Sequence, residues 1–205
     1  MRGPKEKIER ALGERLGLKA ERSLSPKSAM VKRPYKPGQH GNSKKRSNIS
    51  DFGLQLKEKQ KFKVIYGLKE KQLKEIFAKA IKSKEVTRDK VFEILERRLD
   101  NAVFRLGLAG SRNISRQMVL HGHVSVNTKK VTYPAFEVSV NDIISISSNS
   151  RELTRFANLK EKLKKQNSPF WLLLDSEKLE GKIVSLPKEV DVPFDVNLVV
   201  EYYSK

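Results

Sequence analysis

The chain has 205 residues, a length that fits one large or two small domains with a buried core. Its 43 Lys and Arg exceed its 24 Asp and Glu, and the formal net charge of +19 predicts a polyanionic partner, because so large a surplus repels itself in a compact state. The absence of cysteine excludes disulfides and thiolate metal sites, and no apolar run approaches the roughly 20 residues of a membrane-spanning helix.

The first 20 residues predict a short amphipathic helix, because Ile8, Leu12 and Leu16 recur at four-residue spacing. Acidic residues alternate with basic ones here, which argues against a secretory signal and an acid-poor transit peptide, so we expect a cytoplasmic protein. From residue 23 to residue 48, prolines and glycines break any periodicity while lysines and arginines supply charge. Two interpretations stay open for this stretch: a solvated linker, which composition alone favours, and a basic extension that becomes ordered against RNA.

Helical spacing of apolar residues predicts three helices in the next part of the chain. Residues 48–51 offer capping side chains to a helix over residues 52–66, and Gly67 supplies a left-handed stop for it. A second helix covers residues 69–83. The third is longer and is predicted to run without a break to about Leu106.

A shorter helix then opens at Ser111, whose side chain can cap it, and stops at Gly122. Period-two strands follow, with a tight hairpin turn at Asn127 and Thr128. The predicted strands cover residues 123–126, 131–133, 136–138 and 143–146. Two helices packed on a small curled sheet form an α+β unit near residues 93–148, which looks inserted between two parts of a helical domain.

The last part of the chain predicts one more helix, over residues 151–166, with Leu153 and Phe156 on its apolar side. Three strand-like segments come after it. They lie around residues 171–174, 183–186 and 198–203.

Arginines cluster around the turn between the two helices of the inserted unit. Arg98 and Arg105 are seven residues apart and would project from nearly the same helix face, with Asn101 between them. Arg112 and Arg116 lie side by side at i and i+4 in the next helix. A single such pair is usually a solvated face. Several pairs converging on one elbow, without matching acids, favour contacts with RNA phosphates and bases.

Three further features accompany this elbow. Lys129 and Lys130 lie in the predicted hairpin, from which they could reach the same RNA. Arg97 has Glu93 at i−4, so the two could simply form an ion pair. Phe104 does not fit the apolar stripe, and two interpretations stay open: packing against protein, which is favoured, or stacking on a base.

Four stretches of the chain carry a resemblance to one family. They are residues 37–41 (PGQHG), 50–61 (SDFGLQLKEKQK), 95–101 (LERRLDN) and 201–205 (EYYSK). In this order and at this spacing they are highly specific, and the chain resembles the family of bacterial small-subunit ribosomal protein number four over nearly its whole length.

The resemblance implies an α+β fold, with a helical domain built from both chain ends and an inserted alpha-L RNA-binding domain of two helices packed on a small curled antiparallel sheet. The expected parts are a basic N-terminal extension at residues 1–48, a helical domain with C-terminal strands at residues 49–93 plus 158–205, and the inserted domain at residues 94–157.

The resemblance also implies a function: a structural, primary rRNA-binding protein of the small ribosomal subunit that seats on a helix junction in the 5′ domain and nucleates subunit assembly. Ribosomal protein number five and other small-subunit proteins are its expected neighbours, close to where mRNA enters, and this contact is expected to influence decoding accuracy. The residues expected to bind RNA are Arg33, Lys36, Gln39, His40, Lys44, Lys45, Arg46, Arg98, Arg105, Arg112, Arg116, Gln117, His121, Lys129 and Lys130.

The chain departs from the family pattern at one place. Some members hold zinc through four N-terminal cysteines, and residues 21–30 keep the frame around two of them, with Ser23 and Ser28 at the ligand positions. Neutral serine hydroxyls cannot replace thiolates on zinc, so we predict no metal and no cofactor.

No catalytic constellation stands out in the sequence, so an enzyme is not expected. The three histidines do not follow a zinc-ligand spacing, and neither a phosphate-cradling glycine loop nor a nucleophile elbow is present. An alternative is an RNA-docking module of an RNA-modifying system, which would require a catalytic partner domain. A third hypothesis, a membrane-surface protein, would require a basic amphipathic helix with an aromatic-rich face. We expect neither a membrane partner nor a small-molecule substrate.

Overall fold

The computed structural model describes residues 4–19, 22–23, 25–43, 49–151, 153–156, 159–164, 168–187 and 194–204. The chain divides into two compact units, one formed by Met1–Val91 with Asp191–Lys205 and the other by Phe92–Val190. The first unit is thus helical and built from both chain ends, and the second combines helices with an antiparallel sheet. The predicted α+β fold class is confirmed.

In chain order, the helices are α1 (Lys5–Leu12), α2 (Ala29–Lys32), α3 (Asp51–Ile65), α4 (Glu70–Ile81), α5 (Thr87–Glu96), α6 (Leu99–Arg105), α7 (Arg112–Leu120), α8 (Ser148–Arg151), α9 (Leu159–Lys164) and α10 (Val196–Ser204). The strands are β1 (Val124–Val126), β2 (Lys129–Lys130), β3 (Ile143–Ile146), β4 (Leu172–Asp175) and β5 (Glu180–Ile183). Among the described residues, no helix is long and apolar enough to cross a membrane.

Local capping chemistry places α3 where the sequence predicts it. The Ser50 hydroxyl accepts a hydrogen bond from the backbone N–H of Gly53 at 3.3 Å, which satisfies a donor at the start of the helix. At the other end Gly67 takes φ 63°, the left-handed conformation that glycine adopts without a Cβ clash. The two predicted helices over residues 52–66 and 69–83 are therefore confirmed, within a residue or two at their ends.

The C-terminal segment that we predicted to be a strand is helix α10. Tyrosine and valine favour strands on a half-buried sheet surface, but packing in the first unit overrides that preference. Val199 is fully buried, and the Gln55 amide of α3 donates to the Glu201 carboxylate at 3.0 Å. Lys59 of α3 donates to the Tyr202 hydroxyl at 3.1 Å and lies 4.1 Å from the centre of that ring.

The second unit holds one antiparallel sheet in the order β2-β1-β3-β5-β4. We had expected β4 and β5 in the helical domain, but Ile144 of β3 pairs with Gly181 of β5, so these strands extend the sheet of the inserted unit. Trp171 and Ile183 are buried in the same core as Leu99. This compact unit consequently runs to Val190, whereas we expected the inserted domain to end at residue 157.

The long helix that we predicted up to Leu106 is interrupted at Arg98. There the backbone turns extended, with φ −66° and ψ 134°, and forms an isolated bridge with Glu137. The N–H groups of Leu99 and Asp100 donate to the carbonyls of Phe136 and Pro134, at 2.8 and 3.1 Å. They therefore do not continue the backbone hydrogen bonds of helix α5. The predicted strand at residues 136–138 is reduced to this bridge.

Two smaller differences concern the sheet and the segment after it. The second hairpin strand is Lys129–Lys130, whereas we predicted it over residues 131–133, which are not in a strand. Within the predicted helix over residues 151–166, the described residues include a 3-10 turn over Thr154–Phe156 and helix α9, and helix α8 ends at Arg151.

Candidate nucleic-acid interface

Helix α7 forms as the sequence predicts and presents two arginines one turn apart. The Ser111 hydroxyl accepts from the Ile114 N–H at 3.4 Å and caps the helix, and Gly122 ends it with φ 72°. Arg112 and Arg116 are therefore held on neighbouring turns of one helix face.

Asp100 is a buried acceptor that holds two of the predicted RNA-binding arginines. Its two carboxylate oxygens accept from Nε and Nη2 of Arg98 at 3.1 and 2.8 Å, a bidentate pair. The Arg116 Nη1 donates to the same carboxylate at 3.1 Å, and the Ser115 hydroxyl donates to the Asp100 carbonyl. Arg98 is only 5% exposed, so its charge is matched within the protein.

Glu96 is the second buried acceptor. Its carboxylate accepts from Nε and Nη2 of Arg105 at 2.8 and 3.0 Å, and from the Asn101 amide at 2.7 Å. Burial raises the pKa of Glu96, but the hydrogen bonds and charge of Arg105, with the nearby charge of Arg112, outweigh it and hold the pKa below its ordinary value. Glu96 is therefore ionised at neutral pH.

Arg112 is oriented from two sides. Its Nε donates to the side-chain Oδ1 of Asn101 at 2.7 Å, and its guanidinium lies 4.5 Å from the centre of the Phe104 ring, within the range of a cation–π contact. The contact shown for Phe104 is thus with an arginine side chain of its own unit. Arg97 pairs with Glu93 at 3.1 Å, as its spacing suggested.

The expectation that these arginines lack matching acids is wrong. Three of the four arginines pair with two buried carboxylates and Arg112 contacts Asn101, so the cluster keeps a surplus of two positive charges, not four. The sequence did not predict these ion pairs, because the side chains of Arg98 and Asp100, two residues apart, do not meet on a regular helix. They meet because the chain is extended at Arg98. We call Glu96, Asp100, Asn101 and the four arginines the arginine–acid network.

Side chains next to this network remain exposed. Gln117 and His121 are exposed at the C-terminal end of α7, and Lys129 and Lys130 are exposed in the β1–β2 hairpin. A Cβ at Gly122 would collide with the Lys130 side chain, so this lysine crosses the chain just after α7. The hairpin and the helix end are thus brought together, as the sequence argument required. The positive backbone angles of Asn127 (φ 48°) and Thr128 (φ 68°) make the tight turn.

The predicted RNA-binding residues of the N-terminal extension belong to the first unit. Arg33, Lys36, Gln39 and His40 are exposed. Lys44, Lys45 and Arg46 were predicted alongside them and lie outside the described residues.

Buried polar side chains accept backbone hydrogen bonds around the N-terminal helices. Glu9 is 1% exposed, and its Oε1 accepts from the N–H groups of Leu16 and Leu18 at 3.1 and 3.2 Å. Ser28 caps α2 by accepting from the Met30 N–H at 3.4 Å, and the Ser23 hydroxyl is buried without a hydrogen-bond partner among the described residues.

These two serines do not fit a zinc site, because both are neutral hydroxyls and one already serves as a cap. Within the described ranges, no three His, Asp or Glu side chains lie close enough together to hold a metal ion.

Comparisons with known proteins cover nearly the whole chain. A family model described as ribosomal protein S4/S9 N-terminal domain matches residues 1–96, and one described as S4 domain matches residues 97–144. The small ribosomal subunit protein uS4 of Caldicellulosiruptor saccharolyticus is 44% identical over 205 residues, which span 99% of this chain and 98% of that protein. The proteins of the same name from Halothermothrix orenii and Clostridium tetani are 45% and 47% identical, over 100% and 94% of this chain and 98% and 93% of their own lengths.

Proposed function

Because the chain belongs to the small ribosomal subunit protein uS4 family, we propose that it is a structural protein of the bacterial small ribosomal subunit that binds rRNA through the exposed side of the arginine–acid network. Its place is then in the cytoplasm, within the ribosome. A structural role requires no catalytic group, and we propose none.

The observation that carries the proposal is the arrangement of cations around α7. Nε of Arg112 donates to Oδ1 of Asn101 at 2.7 Å, and Nη1 of Arg116 donates to the Asp100 carboxylate at 3.1 Å. An arginine already held in place loses less side-chain freedom when it binds a phosphate. The side chain of Arg116 is 35% exposed, and the hairpin lysines lie beside the helix end. The surplus of positive charge therefore lies on an ordered surface. Recognition of a folded RNA by its shape requires such a surface.

We assign the predicted arginines two roles, which are contact with RNA and stabilisation of the protein. We propose that Arg112 and Arg116, with the exposed residues of α7 and the hairpin, contact RNA. Arg98 and Arg105 instead stabilise the turn, because each forms a bidentate pair with a buried carboxylate. The extension residues Arg33, Lys36, Gln39 and His40 would supply a separate set of contacts from the first unit.

We further propose the finer role that the family resemblance implies. The protein would seat on a helix junction in the 5′ domain of the small-subunit rRNA and nucleate assembly of the subunit body. Its neighbours would include ribosomal protein number five and other small-subunit proteins, close to the incoming mRNA, and through them it would influence decoding accuracy.

A competition binding assay tests the rRNA assignment. Labelled 5′-domain rRNA is titrated with the full chain at moderate salt, in the presence of excess scrambled RNA of equal length. We expect the authentic fragment to resist competition by about a hundredfold, or roughly 3 kcal/mol. Equal competition by scrambled RNA would leave only nonspecific charge binding and would refute the proposal.

Single variants test the assigned surface. Arg112→Ala should lower affinity for the fragment by roughly 1–3 kcal/mol, the scale of a lost charge-assisted hydrogen bond. Lys178→Ala removes the same charge from an exposed position of the same unit and serves as the control. Unchanged affinity in Arg112→Ala, with the fold intact by Trp171 fluorescence, would remove Arg112 from the interface.

A further inference from the structure

The sheet of the second unit has exposed apolar side chains on its outer face, at the end formed by β3, β5 and β4. On the inner face, Ile144, Ile183 and Leu172 are buried in the core. Successive residues of a strand point to opposite sides of a sheet, so their neighbours Ile143 and Leu173 lie on the outer face. These two residues are 43% and 63% exposed.

The exposed apolar residues are adjacent across the strands. Lys182 of β5 pairs with Ile143 of β3 on one side and with Leu173 of β4 on the other, so the three residues form one row. The aliphatic stem of a lysine extends an apolar surface. We call Ile143, Lys182 and Leu173 the outer patch. Further exposed apolar residues lie just before β4 or just after β5, at the same end of this hairpin, and they are Phe170, Val184 and Leu186.

The sequence of these strands is unusual for a sheet with one face in water. Such strands alternate apolar and polar residues. Strand β4 instead begins with three leucines, residues 172–174, and β3 begins with Ile143 and Ile144. Apolar residues on both faces are typical of strands that are covered on both sides. A contiguous apolar patch that is exposed in the isolated chain therefore indicates an interaction surface.

The charge of the sheet changes from the hairpin edge to the β4 edge. One row of paired residues crosses the outer face from β2 to β4, through Lys130, Ser125, Ser145, Glu180 and Asp175. It is basic at the hairpin and acidic at β4. Neighbouring strands lie roughly 4.8 Å apart, so four spacings separate the two edges by about 19 Å. Residues 168–187 carry three acids and two lysines, a net charge of −1 in a chain of +19.

These charges favour a basic protein over RNA at the β4 edge. An RNA backbone would meet the carboxylates of Asp175, Glu177 and Glu180, which repel phosphates. A protein segment with apolar and basic side chains matches both the outer patch and the acids beside it. In the described sheet β4 is the end strand, so an extended segment can also pair along its edge. A second copy of this surface offers no surplus of basic residues to match the acids.

We propose that the outer patch and the edge of β4 bind an apolar, basic segment of a neighbouring protein in the small ribosomal subunit. The inference rests on the proposed function and adds to it a protein-binding surface, at the opposite edge of the sheet from the RNA-facing hairpin. Apolar side chains of the partner cover Leu173 and Ile143, and its lysines or arginines meet Asp175 and Glu177.

Photochemical cross-linking in a reconstituted small subunit tests this surface. p-Benzoylphenylalanine replaces Leu173 in one version of the full chain. In the control version it replaces Leu120, which is exposed on the same face of α7 as Arg116. Each version is assembled with rRNA and the purified small-subunit proteins and is then irradiated. We expect the probe at position 173 to attach to a protein segment with more Lys and Arg than Asp and Glu, and the probe at position 120 to attach to rRNA.

Binding of the cross-linked protein, once purified, measures the contribution of the outer patch. Leu173→Gln should weaken the affinity of the full chain for it by about tenfold, because an aliphatic anchor in the centre of the contact is lost. Leu153→Gln changes another exposed leucine of the second unit and should leave this affinity unchanged. Both variants should bind the 5′-domain rRNA fragment as wild type does.

The outcomes separate this inference from the proposed function. Attachment of the probe at position 173 to rRNA, to a second copy of the chain or to an acidic segment would overturn the inference, as would the absence of any attachment there. Equal affinity of Leu173→Gln and wild type for the cross-linked protein would overturn it too. The proposed function fails instead if the full chain does not prefer authentic rRNA over scrambled RNA in the competition assay.

Discussion

Replacing Glu96 by glutamine tests whether the arginine–acid network stabilises the second unit. The Glu96 side chain is 0% exposed and accepts two hydrogen bonds from Arg105 and one from Asn101. Removing one partner of a buried pair costs about 3–5 kcal/mol when the other charge stays buried. The Arg105 side chain is 24% exposed, so water can solvate part of its charge. We therefore expect Glu96→Gln to lower the free energy of unfolding by about 2–3 kcal/mol, the loss of strong hydrogen bonds to a charged group.

Urea denaturation followed by tryptophan fluorescence measures this change in the right unit. Trp171 is the one tryptophan of the chain and is buried in the core of the second unit. Glu180→Gln is the control, because Glu180 pairs with Arg151 at 3.1 Å where both side chains are more than 30% exposed. An exposed pair contributes at most about 1 kcal/mol. If Glu96→Gln costs no more than Glu180→Gln, the network does not stabilise this unit and our reasoning about it is wrong.

Three further predictions concern other parts of the molecule. Burial raises the pKa of Glu70, but hydrogen bonds from Lys59, Lys63 and Tyr203 lower it from 4.5 to about 2, so its contribution to stability is present above pH 4.5 and lost as the pH falls towards 2. Hydrogen exchange of α3 across this range should show the loss, and Glu70→Gln should abolish that part of it. Gly122→Val should lower stability by about 1–2 kcal/mol in urea denaturation, because the residue has φ 72° and its Cβ would meet a lysine side chain. Elemental analysis of the purified chain should find no stoichiometric zinc, and a chelator should leave its melting temperature unchanged; one zinc per chain would contradict the serine argument.

The parts of the fold that the sequence predicted well are those fixed by local chemistry. Ser50 and Ser111 cap helices through their own hydroxyls, and Gly67 and Gly122 end helices in a conformation that other residues avoid. Each of these effects acts over three or four residues, so a single sequence contains the information.

The parts that were predicted wrongly depend on distant partners. The interruption at Arg98 has no glycine or proline to mark it, and it forms because the 134–136 segment takes the hydrogen bonds of Leu99 and Asp100. Strand β4 lies where a strand was predicted, whereas β5 covers Glu180–Ile183 instead of residues 183–186, and no local pattern shows that β5 pairs with β3. The residues of α10 favour a strand by their composition, but they form a helix because α3 supplies hydrogen-bond partners for their side chains.

The same distinction applies to the candidate interface. Charge and spacing drew attention to the arginines around α7, and the structure places Arg98, Arg105, Arg112 and Arg116 in one network. Spacing did not reveal which arginines pair with an acid of the protein, because Asp100 reaches Arg98 only across the interruption between α5 and α6.

A network of paired charges is compatible with RNA binding because its members differ in how much they remain available. Arg98, with 6% of its side chain exposed, has its charge compensated by Asp100 and adds little to the attraction of a distant phosphate. Arg116 shares that same carboxylate but is 35% exposed, so the carboxylate orients it without removing it from solvent. The buried acids thus reduce the net charge of the elbow and, in return, fix the geometry of the cations that remain. Long-range attraction between charges does not require side chains in fixed positions. Recognition of one RNA shape does require them, because every cation must meet its phosphate at a set position.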